Sequence, residues 1–371
     1  MHNKWIRCLM FWGFCLLSAC GGGGGSSTSG DTPAMEINAK QMGGAIQTDL
    51  SSLSLVVSTL AGSTTGSVDG TGTSAKFNAP VGITTDGKNL YVADHQNATI
   101  RKVDIATGAV TTIAGTAAIS GYSDGNGASA RFRILTSITT DGINLYIADD
   151  CMIRKMNLAS GVVTTLAGSP SARGTADGVG ASARLSPSLY GLTTDGTNLY
   201  ATDAFGFTIR KIVIASGAVT TLAGSAGNTG SLDGIGNSAR FAFPVGITTD
   251  GTNLFVADQH TIRKVVIATG AVTTLAGSAV TTGSNERIGF DGLNGITSDG
   301  ANLYVADFGR TIRRINIATG VVTTLAGTPS VTGSTDGIGP SASFSNAFGI
   351  TTDGTSIFVT DAQNQRIRQL K

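Results

Sequence analysis

The chain has 371 residues, of which 25 are Lys or Arg and 24 are Asp or Glu, so its formal net charge is +1. This balance, with only 6% aromatic residues, argues against an electrostatic surface for nucleic acid or anionic membranes. The 52 glycines are about twice the usual ~7% share and indicate a fold with many tight turns.

The first residues have the pattern of an export signal. Lys4 and Arg7 give a positive start, residues 8–16 are apolar, and residues 17–20 read Leu-Ser-Ala-Cys. That tetrapeptide resembles a bacterial lipobox, with cleavage before Cys20 and a lipid on its thiol. An ordinary secretory signal or a single N-terminal membrane helix are the alternatives, but the apolar stretch is shorter than the ~20 residues of a bilayer span.

We therefore expect a lipoprotein signal peptide over residues 1–19 and a lipidated Cys20 followed by a Gly- and Ser-rich tether to residue 52. Within it, residues 33–52 fit either a short helix or more linker. The predicted location is a bacterial cell envelope, at the outer membrane and facing the periplasm or the exterior. The membrane would be contacted through the lipid only, and we expect a monomer.

Residues 53–371 are dominated by a repeat. Segments resembling GITTDGxNLYVAD begin at 49- to 55-residue spacing, at Gly82, Ser137, Gly191, Gly246, Gly295 and Gly349. A second signature, commonly VTTLAG, ends at Gly62, Gly115, Gly168, Gly224, Gly277 and Gly327. A fixed period of this length with several short strands predicts an all-β fold, a six-bladed β-propeller.

The first complete repeat predicts four antiparallel strands. Residues 81–85 are β-branched and small, and Asp86 with Gly87 is a two-residue hairpin signal. Residues 90–93 are apolar on both faces, residues 99–105 form a third strand, and residues 109–113 a fourth. Almost no helix is expected after residue 50.

The two ends of the repeat region predict how the ring closes. The strand at residues 57–62 precedes any complete repeat, whereas the last repeat stops at Lys371 without a VTTLAG strand of its own. Pairing the N-terminal strand into the C-terminal blade would remove two exposed sheet edges at once.

Several linked motifs in each copy resemble the NHL repeat over roughly residues 55–371. In the first copy they are the Asp-Gly-x-Gly loop at Asp69 with Ala75 and Phe77, then residues 80–83, 89–94, 99–102 and 111–115. The resemblance implies a propeller. NHL propellers include RNA-binding modules, protein-binding modules and a peptide-amidating lyase, and related six-bladed folds include metal-dependent lactonases, so the resemblance leaves the activity open.

Three polar groups recur in the repeats. A ring of six carboxylates could bind cations, but we expect each to accept backbone N–H bonds from the loop after its own strand: Asp94, Asp149, Asp203, Asp258, Asp307 and Asp361. An RNA-binding stripe is conceivable for the six arginines, but we expect ion pairs or hydrogen bonds: Arg101, Arg154, Arg210, Arg263, Arg313 and Arg368. The Asp-Gly-x-Gly loops are interpreted as turns in preference to calcium sites, since each offers one carboxylate.

A local site is expected where the symmetry breaks, at the end of the axial channel that carries the loops before strand one and after strand two. The candidate ligand-binding residues there are Tyr190, Asn294, Phe348, His95, His260, Glu286 and Arg310. No catalytic residue and no metal ligand is assigned, and Cys151 is interpreted as a buried, inert thiol.

The sequence thus favours a non-catalytic binding or scaffold module for a protein or a small ligand, without nucleic acid and without a cofactor. The alternative is a metal-dependent enzyme of the lactonase or lyase kind, with a divalent metal such as Ca²⁺ at the channel mouth. A third hypothesis is an adhesive protein that binds weakly through several blades at once.

Overall fold

Each repeat folds into one antiparallel sheet, and six such sheets surround a central axis in this computed structural model. The structure describes residues 55–278, 290–308 and 310–371. The predicted signal peptide, Cys20 and tether therefore lie outside the described residues, as does Glu286. No helix among the residues described is long and apolar enough to cross a membrane.

The sheets are the propeller's blades, and strand one of each lies nearest the axis. The first strands are Pro80–Thr85, Leu135–Thr140, Leu189–Thr194, Pro244–Thr249, Leu293–Ser298 and Ala347–Thr352. The second strands are Asn89–Asp94, Asn144–Asp149, Asn198–Asp203, Asn253–Asp258, Asn302–Asp307 and Ile357–Asp361.

The third strands are Thr99–Asp104, Met152–Asn157, Thr208–Val213, Thr261–Val266, Thr311–Asn316 and Arg366–Leu370. The fourth strands of blades one to five are Ala109–Ala114, Val162–Gly168, Ala218–Gly224, Ala271–Gly277 and Val322–Ala326. The predicted β-propeller of four-stranded blades is confirmed.

Five blades carry a short fifth strand that the sequence did not predict. These strands are Gly70–Thr71, Gly125–Asn126, Gly178–Val179, Gly234–Ile235 and Gly337–Ile338. Each pairs with the start of strand four, as Gly70 does with Val110. A 3-10 turn follows each one: Gly72–Ser74, Gly127–Ser129, Gly180–Ser182, Gly236–Ser238 and Gly339–Ser341. Two further 3-10 turns, His95–Asn97 and Ala362–Asn364, follow strand two.

The N-terminal strand Val56–Ala61 completes blade six as its fourth strand. It pairs antiparallel with strand three of that blade, Val57 opposite Leu370 and Thr59 opposite Arg368. Its other edge pairs with the short strand at Gly337–Ile338. The predicted closure of the ring is confirmed. It leaves no open edge on the N-terminal strand or on strand three of blade six.

Apolar side chains fill the spaces between neighbouring blades. Between blades one and two, for example, Ile100 packs with Phe132 and Ile147, all fully buried. The first strands approach so closely that small residues are required. A Cβ on Gly349 would collide with the carbonyl oxygen of Val81 in the adjacent blade. This close packing fixes the width of the axial channel.

Candidate functional site

The recurring arginines and aspartates form one buried network in each blade. In blade one, Arg101 Nη1 lies 2.8 Å from Asp94 Oδ2 and Nη2 lies 2.7 Å from Asp69 Oδ1. The guanidinium stacks 5.0 Å from the ring centre of Phe77. The arginine pairs with the carboxylate at the end of strand two in the other five blades also, at 3.0 to 3.5 Å. The predicted ion-pair role of these arginines is confirmed.

The carboxylate at the end of strand two accepts hydrogen bonds from backbone N–H groups before strand one. Asp94 Oδ1 accepts a 2.7 Å hydrogen bond from the N–H of Asn78, and Asp149 accepts from the N–H groups of Arg133 and Ile134. These donors precede strand one and were not predicted, but in blade three Asp203 also accepts a 3.0 Å hydrogen bond from the N–H of Gly206, in the loop after strand two, as predicted. Burial raises the pKa of Asp94 to about 6, although these hydrogen bonds and Arg101 lower it.

The aspartates of the Asp-Gly-x-Gly loops hold the outer edge of the blade. Asp69 accepts hydrogen bonds from the N–H and the hydroxyl of Thr112 at 3.0 and 2.9 Å, besides its pair with Arg101. Partial burial opposes ionisation, but these hydrogen bonds and the cation keep the pKa of Asp69 below its ordinary value. The same arrangement recurs at Asp124 and Asp233. These loops therefore have a structural task in the blade.

The axial channel is a cavity of about 160 Å³ bounded by the first strands of all six blades. We call the end with the loops before strand one the mouth, and the opposite end, with the Asp-Gly turns, the hairpin end. Among the described residues that line the channel, none carries a charged side chain. Its chemistry comes from hydroxyls, one amide, aliphatic side chains and two aromatic rings.

The two aromatic rings of the channel lining are Tyr190 of blade three and Phe348 of blade six. In a ring of six consecutive blades, these two are opposite each other across the axis. Both side chains are half-buried. Burial raises the pKa of Tyr190, which keeps its phenol protonated, and a hydrogen bond with Ser188 opposes that shift.

Tyr190 belongs to an aromatic cluster that extends over the mouth. Its ring centre lies 5.8 Å from that of Phe243, and Phe205 meets Phe243 edge-on at 5.7 Å. Phe205 is 40% exposed. Phe243 was not among the predicted site residues, although it directly precedes strand one of blade four.

Asn294 lines the channel, but its amide also ties two blades together. The side chain is buried, and Nδ2 donates a 2.9 Å hydrogen bond to the carbonyl of Ala347 in blade six. Thr136 does the same between blades two and three, its hydroxyl donating to Leu189 at 2.6 Å. These two polar side chains at the mouth thus form hydrogen bonds that connect neighbouring blades.

The two predicted histidines lie in separate places, in blades one and four. His95 is buried with Nδ1 2.5 Å from the carbonyl oxygen of Leu135, and burial lowers its pKa although that hydrogen bond raises it. His260 Nδ1 lies 2.9 Å from the carbonyl oxygen of Phe290, beside a second cavity of about 210 Å³ that Asp258 and Gln259 also line. Both imidazoles thus face a backbone carbonyl.

Arg310 lies in the loop after strand two of blade five, half-buried and with φ of +66°. Of the predicted site residues that the structure describes, Tyr190, Asn294 and Phe348 meet at the channel, whereas the two histidines and Arg310 do not line it. Among the described residues, no group of three or more His, Cys, Asp or Glu is placed to hold a metal ion.

Blade two contains a polar cluster that sequence reasoning missed. The buried carboxylate of Asp150 accepts hydrogen bonds from the hydroxyl of Tyr122 at 2.7 Å and from Arg173 at 2.8 Å. Next to it, the buried thiol of Cys151 donates to the carbonyl of Ser169, and burial raises its pKa. The only sequence signal was the shortened loop between strands two and three of this blade.

No protein-family model matches the chain. It is 30% identical over 257 residues to NHL repeat-containing protein 2 of Bos taurus. The aligned region covers 59% of this chain and 35% of that protein. The chain thus spans about a third of the length of this curated relative.

Two solved propellers are similar in structure. One is an auxiliary nutrient binding protein from Bacteroides ovatus, with a TM-score of 0.62 and 16% identity. The match covers 86% of this chain and 77% of that protein's chain. The other is a catalytically inactive virginiamycin B lyase from Staphylococcus aureus, with a TM-score of 0.52 and 15% identity. That match covers 85% of this chain and 99% of the lyase chain. At such identities the likeness concerns the fold alone. The chain is thus a six-bladed β-propeller that is similar in sequence to NHL repeat-containing protein 2.

Proposed function

We propose that this protein is a lipid-anchored, extracytoplasmic binding module that holds a ligand or a partner at the mouth of its channel and carries out no chemistry. The observation that carries this proposal is the pair of half-buried rings, Tyr190 and Phe348, on opposite sides of the mouth. Aromatic side chains supply a large contact area at low entropic cost, and they are enriched where proteins bind other molecules.

The distribution of the repeated polar groups supports a binding role over a catalytic one. Arg101, Asp94 and Asp69 are engaged with one another and with backbone groups, and equivalent sets recur around the ring. A catalytic acid or base needs access to a substrate, whereas Arg101 and Asp94 are wholly buried. The variable residues at the mouth are left for recognition. A binding role also agrees with the nutrient binding named for the Bacteroides ovatus propeller, whose likeness concerns the fold.

The point at which the N-terminal segment enters the propeller fits an anchored module. Val56 begins the fourth strand of blade six beside Lys371, at the hairpin end of the blade. The attachment point therefore lies at the end of the blade opposite the mouth. The lipobox-like residues 17–20 supply the anchor in this proposal.

A thermal-shift screen tests the binding role, because a ligand of the native state raises the melting temperature by mass action. The purified protein is screened against small metabolites, peptides and glycans, and then against EDTA, Ca²⁺, Zn²⁺ and Mn²⁺. We expect a saturable shift that is lost in the Tyr190→Ala, Phe348→Ala double variant and retained in Ile143→Ala, since Ile143 is 66% exposed at the hairpin end.

Two results would count against this function. A ligand recovered chemically altered after incubation, as seen by mass spectrometry, would favour the lactonase- or lyase-like enzyme, above all if EDTA stopped the conversion. A saturable shift that survives the double variant would place binding elsewhere, as the adhesive hypothesis requires.

The anchor needs a separate test. Bacteria that express the protein are fed a labelled fatty acid, and the labelled chain is followed in membrane and soluble fractions. We expect label on the wild type and neither label nor membrane association on Cys20→Ala, whereas Cys151→Ala keeps both. Label-free membrane association of the wild type would replace the lipid anchor with another mode of attachment.

A further inference from the structure

Below the mouth, a threonine at the same position of every first strand lines the channel. We call these residues the threonine ring: Thr84, Thr139, Thr193, Thr248, Thr297 and Thr351. They are three residues further along strand one than the mouth residues, which is about 10 Å at ~3.3 Å per residue.

The hydroxyls of the threonine ring form no side-chain hydrogen bond with any residue that the structure describes. The next residue along the same strands, a threonine in every blade except blade five, which has Ser298, behaves differently. Thr85, for example, donates to the carbonyl of Asn89 at 2.9 Å and accepts from the N–H of Gly87 at 3.0 Å. The threonine ring therefore offers six hydroxyls, each able to donate and accept, to whatever occupies the channel.

The neutral lining selects against charged ligands. A carboxylate, phosphate or ammonium group that entered the channel would lose hydration and would meet no opposite charge among the described lining residues. A ligand with hydroxyls or amides can exchange its hydrogen bonds with water for hydrogen bonds with the threonine ring. The lining thus favours a neutral, hydroxyl-rich molecule.

The size and shape of the channel further restrict the class of ligand that can bind. The cavity of about 160 Å³ compares with an engineered cavity of about 150 Å³ that holds benzene, so a six-membered ring fits. Tyr190 and Phe348 line the mouth from opposite sides, and an aromatic ring offers an apolar surface. A pyranose has both features that this site requires: flat faces of C–H groups and a rim of hydroxyls.

We propose that the channel binds the end of a short neutral oligosaccharide. The outer sugar lies between Tyr190 and Phe348, and the inner one reaches the hydroxyls of the threonine ring. This inference rests on the proposed binding function and names the class of ligand for that site.

The test uses the purified full chain and isothermal titration with maltose, cellobiose, lactose and diacetylchitobiose. Charged probes of matched skeleton are chitobiose, which replaces the two acetamides by ammonium groups, and the uronic acid of cellobiose. We expect at least one neutral disaccharide to bind, and both charged probes to bind at least about tenfold more weakly than it does.

Variants then locate the sugar. Thr193→Val with Thr351→Val keeps the side-chain shape and removes two hydroxyls of the threonine ring, which we expect to weaken binding at least about fivefold. Tyr190→Ala should weaken it as much. Thr111→Val is the matched control, because Thr111 is an exposed residue of strand four. Melting temperatures show that each variant is folded.

The outcomes separate this inference from the proposed function. If none of the four neutral disaccharides binds, or if one binds equally well to the threonine variants, the sugar assignment is wrong. A charged or aromatic ligand whose binding depends on Tyr190 would also overturn the sugar, while leaving a binding module in place. Binding of a neutral disaccharide that ignores Tyr190, Phe348 and the threonine ring alike would overturn both.

Discussion

Arg101 and Asp94 form an ion pair inside blade one, with 2.8 Å between Nη1 and Oδ2 and with both side chains wholly buried. The pair links strand three to the end of strand two, and Asp94 in turn holds the N–H of Asn78 before strand one. One buried carboxylate therefore connects three segments of the blade. Removal of Arg101 should lower stability strongly, because the charge of Asp94 would remain unpaired in a buried site.

We expect Arg101→Met to lower the free energy of unfolding by about 3–5 kcal/mol at pH 8. The loss should be smaller at pH 5. Burial raises the pKa of Asp94 to about 6 from 3.8, so its contribution to stability is complete below pH 3.8 and is lost as the pH rises through 6. Without Arg101, which lowers the pKa of Asp94, the loss of stability as the pH rises becomes larger. Urea denaturation of both proteins between pH 5 and pH 8 measures it.

Arg133→Met is the control for this prediction. Arg133 is exposed and hydrogen-bonds the hydroxyl of Tyr122, so its loss should cost under about 1 kcal/mol at any of these pH values. Equal costs for the two variants, or a cost for Arg101→Met that does not change with pH, would show that the buried pair contributes little.

A second prediction concerns the contact between first strands. The methyl group of Gly349→Ala would meet the carbonyl oxygen of Val81, and neither backbone can move without opening the ring. We expect a loss of about 2–3 kcal/mol, as for overpacking of a close-packed core. The melting temperature and the urea midpoint measure it.

Ser137 gives a matched control, since blade two has a side chain at this same position. Its hydroxyl accepts a 3.0 Å hydrogen bond from the N–H of Leu192. Ser137→Ala keeps the Cβ and removes that bond, so we expect a loss of only about 1 kcal/mol. A Gly349→Ala protein as stable as the wild type would mean that the first strands are packed less tightly than the structure shows.

The blades and their closure could be predicted from the sequence because they depend on local signals. The Asp-Gly turn at Asp86 and Gly87, and the unpaired strand before Gly62, are readable from the chain alone. The fifth strand at Gly70–Thr71 could not be predicted, because two residues have no periodicity and form a strand only by pairing with Val110. The partner of Asp94 was missed for a similar reason, since Asn78 is distant from it along the chain.

The candidate site was predictable only in part. Their position directly before the glycine of strand one placed Tyr190 and Phe348 at the mouth, and the structure has both in the channel lining. The hydrogen bond of Asn294 to Ala347 in the next blade could not be predicted, because it depends on how closely the blades pack. The binding role of these residues stays a prediction.

A third prediction concerns the joint where the ring closes. The hydroxyl of Thr360 donates to the carbonyl of Val81 and accepts from the N–H of Gly349, each at 2.7 Å, and the side chain is wholly buried. Blades one, two, four and five have alanine at this position: Ala93, Ala148, Ala257 and Ala306. Thr360→Ala therefore fits sterically but removes a bond between blades six and one.

We expect Thr360→Ala to cost about 1–2 kcal/mol. Thr202→Ala should cost a similar amount, because its hydroxyl ties blades three and four through Val245 at 2.6 Å. The two sites are far apart, so the double variant should show the sum of the two losses. Thr111→Ala, at an exposed site, is the control. No loss for Thr360→Ala in urea denaturation would mean that the closing joint does not need this bond.

The last prediction concerns His95, a buried imidazole next to Asp94 whose pH dependence has the opposite sign. Burial lowers the pKa of His95 below 6.5, so its contribution to stability is present above pH 6.5 and is lost as the pH falls through the lower, folded-state value. The His95→Ala protein has no imidazole at this site, so it does not show this loss of stability at low pH. Alanine is tolerated at the equivalent place in blade six, where Ala362 is buried.

At pH 8 we expect His95→Ala to cost about 1–3 kcal/mol, since the carbonyl of Leu135 loses its hydrogen-bond partner. At pH 5 the difference from the wild type should shrink, because only the wild type has to keep a neutral imidazole buried. Asp94 titrates in the same range in both proteins, so the difference between their two curves reports His95. Gln96→Ala, an exposed neighbour, should run parallel to the wild type. Parallel curves for His95→Ala as well would mean that this imidazole accepts its proton inside the folded blade.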